Sequence, residues 1–166
     1  MSPELARFQG RGCAAGEFEG EVVLSNQPFG FWQGMDPHTG LVIDKRHDAC
    51  GQSVKGKVFV FPFGRGSTGT PGIFLEAVRN GCAPGAIVNV KSEPMIIMCA
   101  LLAEAFFRVW IPIVDRVPGD LSAHLQAGDR VRINGTTGVV TVVSRLPREA
   151  WSGQAGREGG PPTAAG

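Results

Sequence analysis

Residues 57–80 constrain the fold more than any other stretch: KVFVFPF, then GRGSTGT, then PGIFLEAVRN. An apolar run as dense as residues 57–63 suits a strand buried on both faces. Ile73, Phe74, Ala77 and Val78 recur at helical spacing, with Pro71 in the first turn and Gly81 just past the end. A buried strand, a glycine-dense loop and a helix in that order begin a parallel crossover. Residues 86–90 read as the next strand, 94–106 as a largely buried helix and 109–115 as a further strand. Upstream, residues 17–25 (EFEGEVVLS) and 41–44 read as strands separated by a loop rich in Gly, Pro and Asp. Downstream, residues 128–143 (GDRVRINGTTGVVTVV) read as a hairpin turning at Asn134-Gly135. Parallel crossovers combined with antiparallel strands predict a three-layer α/β domain with a mixed sheet.

The chain has 166 residues, 43% of them hydrophobic, enough for one self-sufficient core. Glycine is the compositional oddity, at 24 residues, about twice the usual share. The expected division is an N-terminal extension over 1–11, a folded domain over 12–145 and a flexible Gly/Pro/Ala-rich tail over 146–166. A formal net charge of +1 gives no bulk attraction to nucleic acid or to anionic lipid. The longest apolar run, residues 95–103, is too short to span a bilayer, and the N-terminus lacks the pattern of a signal peptide. A cytoplasmic protein is expected. Cys13, Cys50, Cys82 and Cys99 form no CxxC pair, and His38, His47 and His124 are not paired at helical spacing. No self-contained metal site is expected, so a metal would arrive with a partner.

The loop over residues 64–70 is where chemistry is expected. It matches GxGxxG through Gly64, Gly66 and Gly69, with Glu93 downstream as an acidic residue for a ribose. Against a dinucleotide site, Gly69 precedes Thr70-Pro71-Gly72 instead of lying inside a helical turn, and Glu93 directly precedes a proline. No lysine follows the glycines, which excludes a Walker phosphate loop. Ser67 and Thr68 at a helix N-terminus have two readings. They are turn or capping hydroxyls, or hydroxyls among backbone N–H groups that bind an anion or stabilise an alkoxide.

Three segments carry a family resemblance: PFGFWQGMDPHTGLVID (residues 28–44), GKVFVFPFGRGSTGTPGIFLEAVRNGCAPGAIV (56–88) and IPIVD (111–115). They resemble the small subunit of aconitase X, over roughly residues 16–143. GRGST between strand and helix is similar to the glycine–serine loop of aconitase and isopropylmalate isomerase swivelling domains. The resemblance implies a three-layer β/β/α swivelling domain that works with a larger subunit holding an iron–sulfur cluster. It implies a hydro-lyase acting on a small hydroxy acid. The expected substrate is cis-3-hydroxy-L-proline, dehydrated to 1-pyrroline-2-carboxylate, a choice resting on the Ala, Gly, Arg and Pro richness; the alternative is mevalonate 5-phosphate. By the same resemblance Ser67 falls at the catalytic position as base, with Thr68 where the usual second serine stands. Arg65, Gly66 and Thr68 are expected to bind substrate, with Phe31 and Trp32 as a lid or a hydrophobic plug. A non-catalytic carrier domain of the phosphohistidine type is the other class, but GRGSTGTPG contains no histidine.

Overall fold

The structure is a computed structural model and describes residues 4–146. Eight strands form one mixed sheet in the order β1-β8-β7-β3-β4-β5-β6-β2. The parallel half consists of β4 (Val58–Phe61), β5 (Ala86–Asn89) and β6 (Ile113–Asp115), linked by helices α1 (Thr70–Arg79) and α2 (Pro94–Phe107). The antiparallel half holds β1 (Ala6–Gln9), β7 (Arg130–Asn134) and β8 (Val139–Ser144). Strand β3 (Glu17–Leu24) serves both halves: its first part pairs antiparallel with β7, its last three residues parallel with β4.

The side-chain period of two divides the parallel strands between two cores. Phe59, Phe61, Ile87 and Ile113 face one way, against Phe74 and Ala77 of α1 and Ile96, Cys99 and Ala103 of α2. Val58, Val60, Ala86, Val88 and Val114 face the other way, against Val131, Ile133, Val140 and Val142 of the antiparallel half. These are the three β/β/α layers. Burial on both faces explains the uninterrupted apolar character of β4 and β5.

The sheet also curls on itself. Strands β1 and β2 (Arg11–Ala14) stand at opposite ends of the strand order, yet only Gly10 separates them in sequence. The two edges must therefore meet at Gly10, whose N–H donates to the Gly138 carbonyl at 2.8 Å. Beside this seam Arg11 grips the wholly buried Asp115 with two hydrogen bonds, 2.9 and 2.8 Å, and the Ser92 N–H adds a third at 2.9 Å. Burial alone would push the Asp115 carboxyl up, but these donors outweigh it and hold it below the usual carboxylate range.

Several expectations are corrected. The stretch read as an N-terminal extension, 1–11, contains β1 and the first residue of β2, so the fold begins before residue 12. Residues 41–44 make only isolated bridges, Met35 with Val42 and Leu41 with Ser53. The strand expected over 109–115 starts at Ile113, because Pro112 has no N–H to give the ladder. The hairpin does not turn on a two-residue Asn-Gly pair. Asn134 instead caps a wider loop, its Oδ1 accepting from Thr136 N–H (3.1 Å) and Thr137 N–H (2.8 Å). A short helix, α3 (Leu121–His124), capped by Asp120, carries no signal strong enough to have been expected. The tail expected over 146–166 lies outside the described residues apart from Leu146.

Candidate functional site

The site forms at the C-terminal end of β4, where open parallel sheets commonly bind ligands. Phe29 docks on this end as a short parallel bridge with Gly64. Its N–H donates to the Phe63 carbonyl (3.1 Å), and Arg65 N–H donates back to the Phe29 carbonyl (2.9 Å). Two distant loops, residues 29–36 and 64–69, are thereby held side by side. The Phe29 ring is buried among edge-on rings of Phe31, Phe59 and Phe61, with centroids 4.9 to 5.8 Å away, and His47. The floor under the loops is thus a packed aromatic cluster.

Phe31 belongs to that floor. It is 1% exposed, packs edge-on to Phe74 with centroids 5.0 Å apart, and does not line the cavity. It lies in the hydrophobic plug under the loop, away from the cavity walls. Trp32, next in sequence, is 49% exposed and does line the cavity. Its ring lies over Gly69, where any Cβ would approach within 2.3 Å. Gln33 completes this turn with φ of 61°, a left-handed conformation that costs a non-glycine residue about 1–2 kcal/mol.

The cavity measures about 280 Å³. Arg65, Gly66 and Ser67 line it from one loop, Gly30, Trp32, Gln33 and Gly34 from a second, and Asp44 and Arg46 from a third. Four expected site residues, Ser67, Arg65, Gly66 and Trp32, therefore meet around one space, while the exposed Thr68 is absent from its walls. Ser67 is not the helix cap. The N-cap of α1 is Gly69, without a side-chain bond, and Ser67 Oγ accepts only a long 3.3 Å bond from the Gly69 N–H. The hydroxyl thus stands one short turn before a ten-residue helix N-terminus. The arginine ion pairs among the described residues use Arg11, Arg46, Arg79, Arg130 and Arg132, which leaves the Arg65 guanidinium free.

Glu93 is not placed for a ribose. Its side chain lies beneath the glycine loop: a Cβ on Gly66 would sit 2.9 Å from Oε2, and one on Gly64 would sit 3.0 Å from Cγ. Glu93 Oε1 is buried without a hydrogen-bond partner. With Trp32 also covering Gly69, the dinucleotide reading loses both its acidic residue and the open face of its third glycine.

Residues 44–48 are what sequence reasoning passed over. Asp44 and Arg46 line the cavity, and behind them stands a Ser25, His47 and Asp48 cluster. Those three residue types suggest a nucleophile triad, and His47 Nδ1 lies 3.4 Å from Asp48 Oδ1, but the shorter hydrogen bonds run another way. His47 Nδ1 accepts from the Ala49 N–H (3.2 Å), so the ring proton sits on Nε2 and points to Ser25 Oγ (3.3 Å). Ser25 in turn donates to Asp48 Oδ1 at 2.5 Å. In that tautomer His47 has no lone pair for the serine proton, and the cluster, buried at Ser25 and His47 but exposed at Asp48, ties residues 25–27 to residues 47–49. The sequence signal was the close run of Asp44, Arg46, His47 and Asp48 just after an apolar segment.

An iron–sulfur cluster does not fit the described residues of this chain. Among the described residues no three His, Cys, Asp or Glu side chains gather at one point. The four cysteines are free, and burial, with the nearby Glu93 charge, pushes the Cys99 thiol up to about 11. No helix of the described residues is long and apolar enough to cross a membrane.

With this geometry in place, comparison with known proteins gives a consistent picture. The phosphomevalonate dehydratase small subunit of Methanosarcina mazei is 37% identical over 139 residues, covering 84% of this chain and 92% of that protein. The protein of the same name from Pyrococcus abyssi is 39% identical over 137 residues, covering 82% and 98%. The crystal structure of Thermococcus kodakaraensis aconitase X superimposes with a TM-score of 0.75 at 34% identity, covering 84% of this chain and 99% of that one. Residues 7–142 match the aconitase X swivel domain family over nearly the whole described fold, and the chain belongs to that family.

Proposed function

We propose that this chain is the small subunit of a phosphomevalonate dehydratase and contributes Ser67 as the proton acceptor. The observation that carries the reading is the pair of near-full-length relatives named for that activity, at 37% and 39% identity. Of the two substrates expected from sequence, mevalonate 5-phosphate is therefore better supported than cis-3-hydroxy-L-proline.

Loss of water from such an acid removes a proton from the carbon next to the carboxylate and a hydroxyl from its neighbour. That needs a base on one side and an acid on the other. The iron–sulfur cluster expected on a large subunit would act as the acid. Ser67 supplies the base only if its hydroxyl is made much more acidic. A helix N-terminus contributes up to about 2 kcal/mol, a little over one pKa unit at about 1.36 kcal/mol each. The remainder must come from loop N–H groups and from a cation, and Arg65 lines the same cavity with no anionic partner among the described residues. Arg65 also suits the substrate carboxylate, which it can grip with two parallel hydrogen bonds. Trp32 forms an apolar wall that limits water at the reacting carbon.

The test is co-expression with the large subunit and assay on both substrates. Water loss from mevalonate 5-phosphate and none from cis-3-hydroxy-L-proline is expected, with this chain inactive by itself. The reverse preference would return the reading to the hydroxyproline substrate. A phosphohistidine carrier would instead be labelled by phosphoenolpyruvate, and no labelling is expected.

A further inference from the structure

The serine cavity is one lobe of a longer groove. A second cavity, about 460 Å³, shares Asp44, Arg46 and Arg65 with it and adds Gln27, Pro28 and His47. Both arginines thus line both lobes. Among the described residues Arg65 has no ion pair, and Arg46, whose side chain is 95% exposed, reaches Asp44 only at 3.9 Å. Asp44 Oδ1 is already engaged by the Arg46 backbone N–H at 3.0 Å, which sets the turn that carries Arg46. The second lobe is also rich in donors. Gln27 Oε1 accepts from the Asp48 N–H (3.2 Å), which leaves the Gln27 amide NH₂ free, and both His47 ring nitrogens are occupied. Two guanidinium forks and an amide NH₂ against one committed carboxylate suit an oxyanion with several acceptor oxygens.

We propose that this second lobe binds the phosphoryl end of the substrate, with Arg46 as the residue that selects a phosphorylated hydroxy acid. The inference rests on the reading that Ser67 faces the reacting carbon. In mevalonate 5-phosphate the phosphate ester is three carbons along the chain from the carbon that loses its proton. A substrate with its reacting carbon at Ser67 therefore extends its second anion past the shared arginines, into the second lobe. A zwitterionic cyclic amino acid has no second anion to place there.

The test uses the assembled two-subunit enzyme. In Arg46→Ala the KM for mevalonate 5-phosphate rises about tenfold or more, as for a lost charge-assisted contact, and kcat falls much less. The dissociation constant for inorganic phosphate, measured by calorimetry, rises by a similar factor, and Arg46→Lys recovers part of the loss. The high exposure of Arg46 keeps the fold out of the comparison. Unchanged KM and unchanged phosphate affinity in Arg46→Ala would overturn the assignment, as would a wild type that binds no phosphate. Failure of the wild type to dehydrate mevalonate 5-phosphate would overturn the functional reading instead, and phosphate calorimetry would still decide the lobe.

Discussion

Two glycine-rich loops look alike in sequence and are built for different reasons. In the β7–β8 loop the glycines admit backbone. A Cβ on Gly135 would sit 1.9 Å from the Ala14 carbonyl oxygen, and Gly138 adopts φ of 76° against the Gly10 carbonyl. In the loop over residues 64–69 the glycines admit side chains: Glu93 under Gly66 and the Trp32 ring over Gly69. The first loop closes the curled sheet, whereas the second exposes a serine above an aromatic floor. In these two loops, the glycines pressed by backbone protect the fold, and those pressed by side chains protect the geometry of the site.

The largest expected effect tests the floor. Phe31→Ala removes a ring from the packed cluster and should cost about 3–5 kcal/mol, read by denaturant unfolding, while Trp32→Ala should cost well under half of that. Equal losses would mean that the two adjacent rings are not divided between core and cavity. Next, Gly135→Ala should destabilise by about 2–3 kcal/mol, as overpacking against fixed backbone does, with activity per folded molecule unchanged in the two-subunit enzyme. Smaller still is an acid effect at the seam. The Asp115 carboxyl is held below its unfolded value, so its contribution is present above pH of about 4. It is lost as pH falls through the depressed folded value. Unfolding midpoints followed from neutral to low pH should drop, and Arg11→Ala should flatten that drop. The smallest change in stability is expected for Gly66→Ala, about 1 kcal/mol or less because the Glu93 carboxylate can swing away. Even so, kcat should fall about tenfold or more, since misplacing a reacting group by a fraction of an ångström is costly. A Gly66→Ala enzyme of full activity would break the contrast between the loops.

Much of this was legible in the sequence, for identifiable reasons. The crossovers β4–α1–β5–α2–β6 announce themselves because the strands are short unbroken apolar runs, α2 is a longer one, and α1 shows its buried face at helical spacing. The seam does not. Strands β1 and β2 are four residues each, and their partners, Val142 for Ala6 and Asp115 for Arg11, lie more than a hundred residues away. Within the site, Ser67, Arg65 and Gly66 were legible because they share one loop. The division between Phe31 and Trp32 depends on which way one tight turn points each ring. Asp44 and Arg46 reach the cavity only because Phe29 docks on Gly64 and carries its loop into place, and no local pattern records that docking. Glu93 was noticed for its distance from the glycines, whereas its position is set by packing under them.

Ser67→Ala in the assembled two-subunit enzyme, with Thr68→Ala as its control, tests the central claim most directly. The lost hydroxyl makes one long turn bond, so stability should fall by no more than a lost cap, about 0.5–2 kcal/mol. Loss of a general base should lower kcat about 100- to 10,000-fold with little change in substrate affinity, and Thr68→Ala should matter far less. A Ser67→Ala enzyme that keeps more than about a tenth of the wild-type kcat, a deficit below that of a lost base, would contradict the account and move the base to the large subunit.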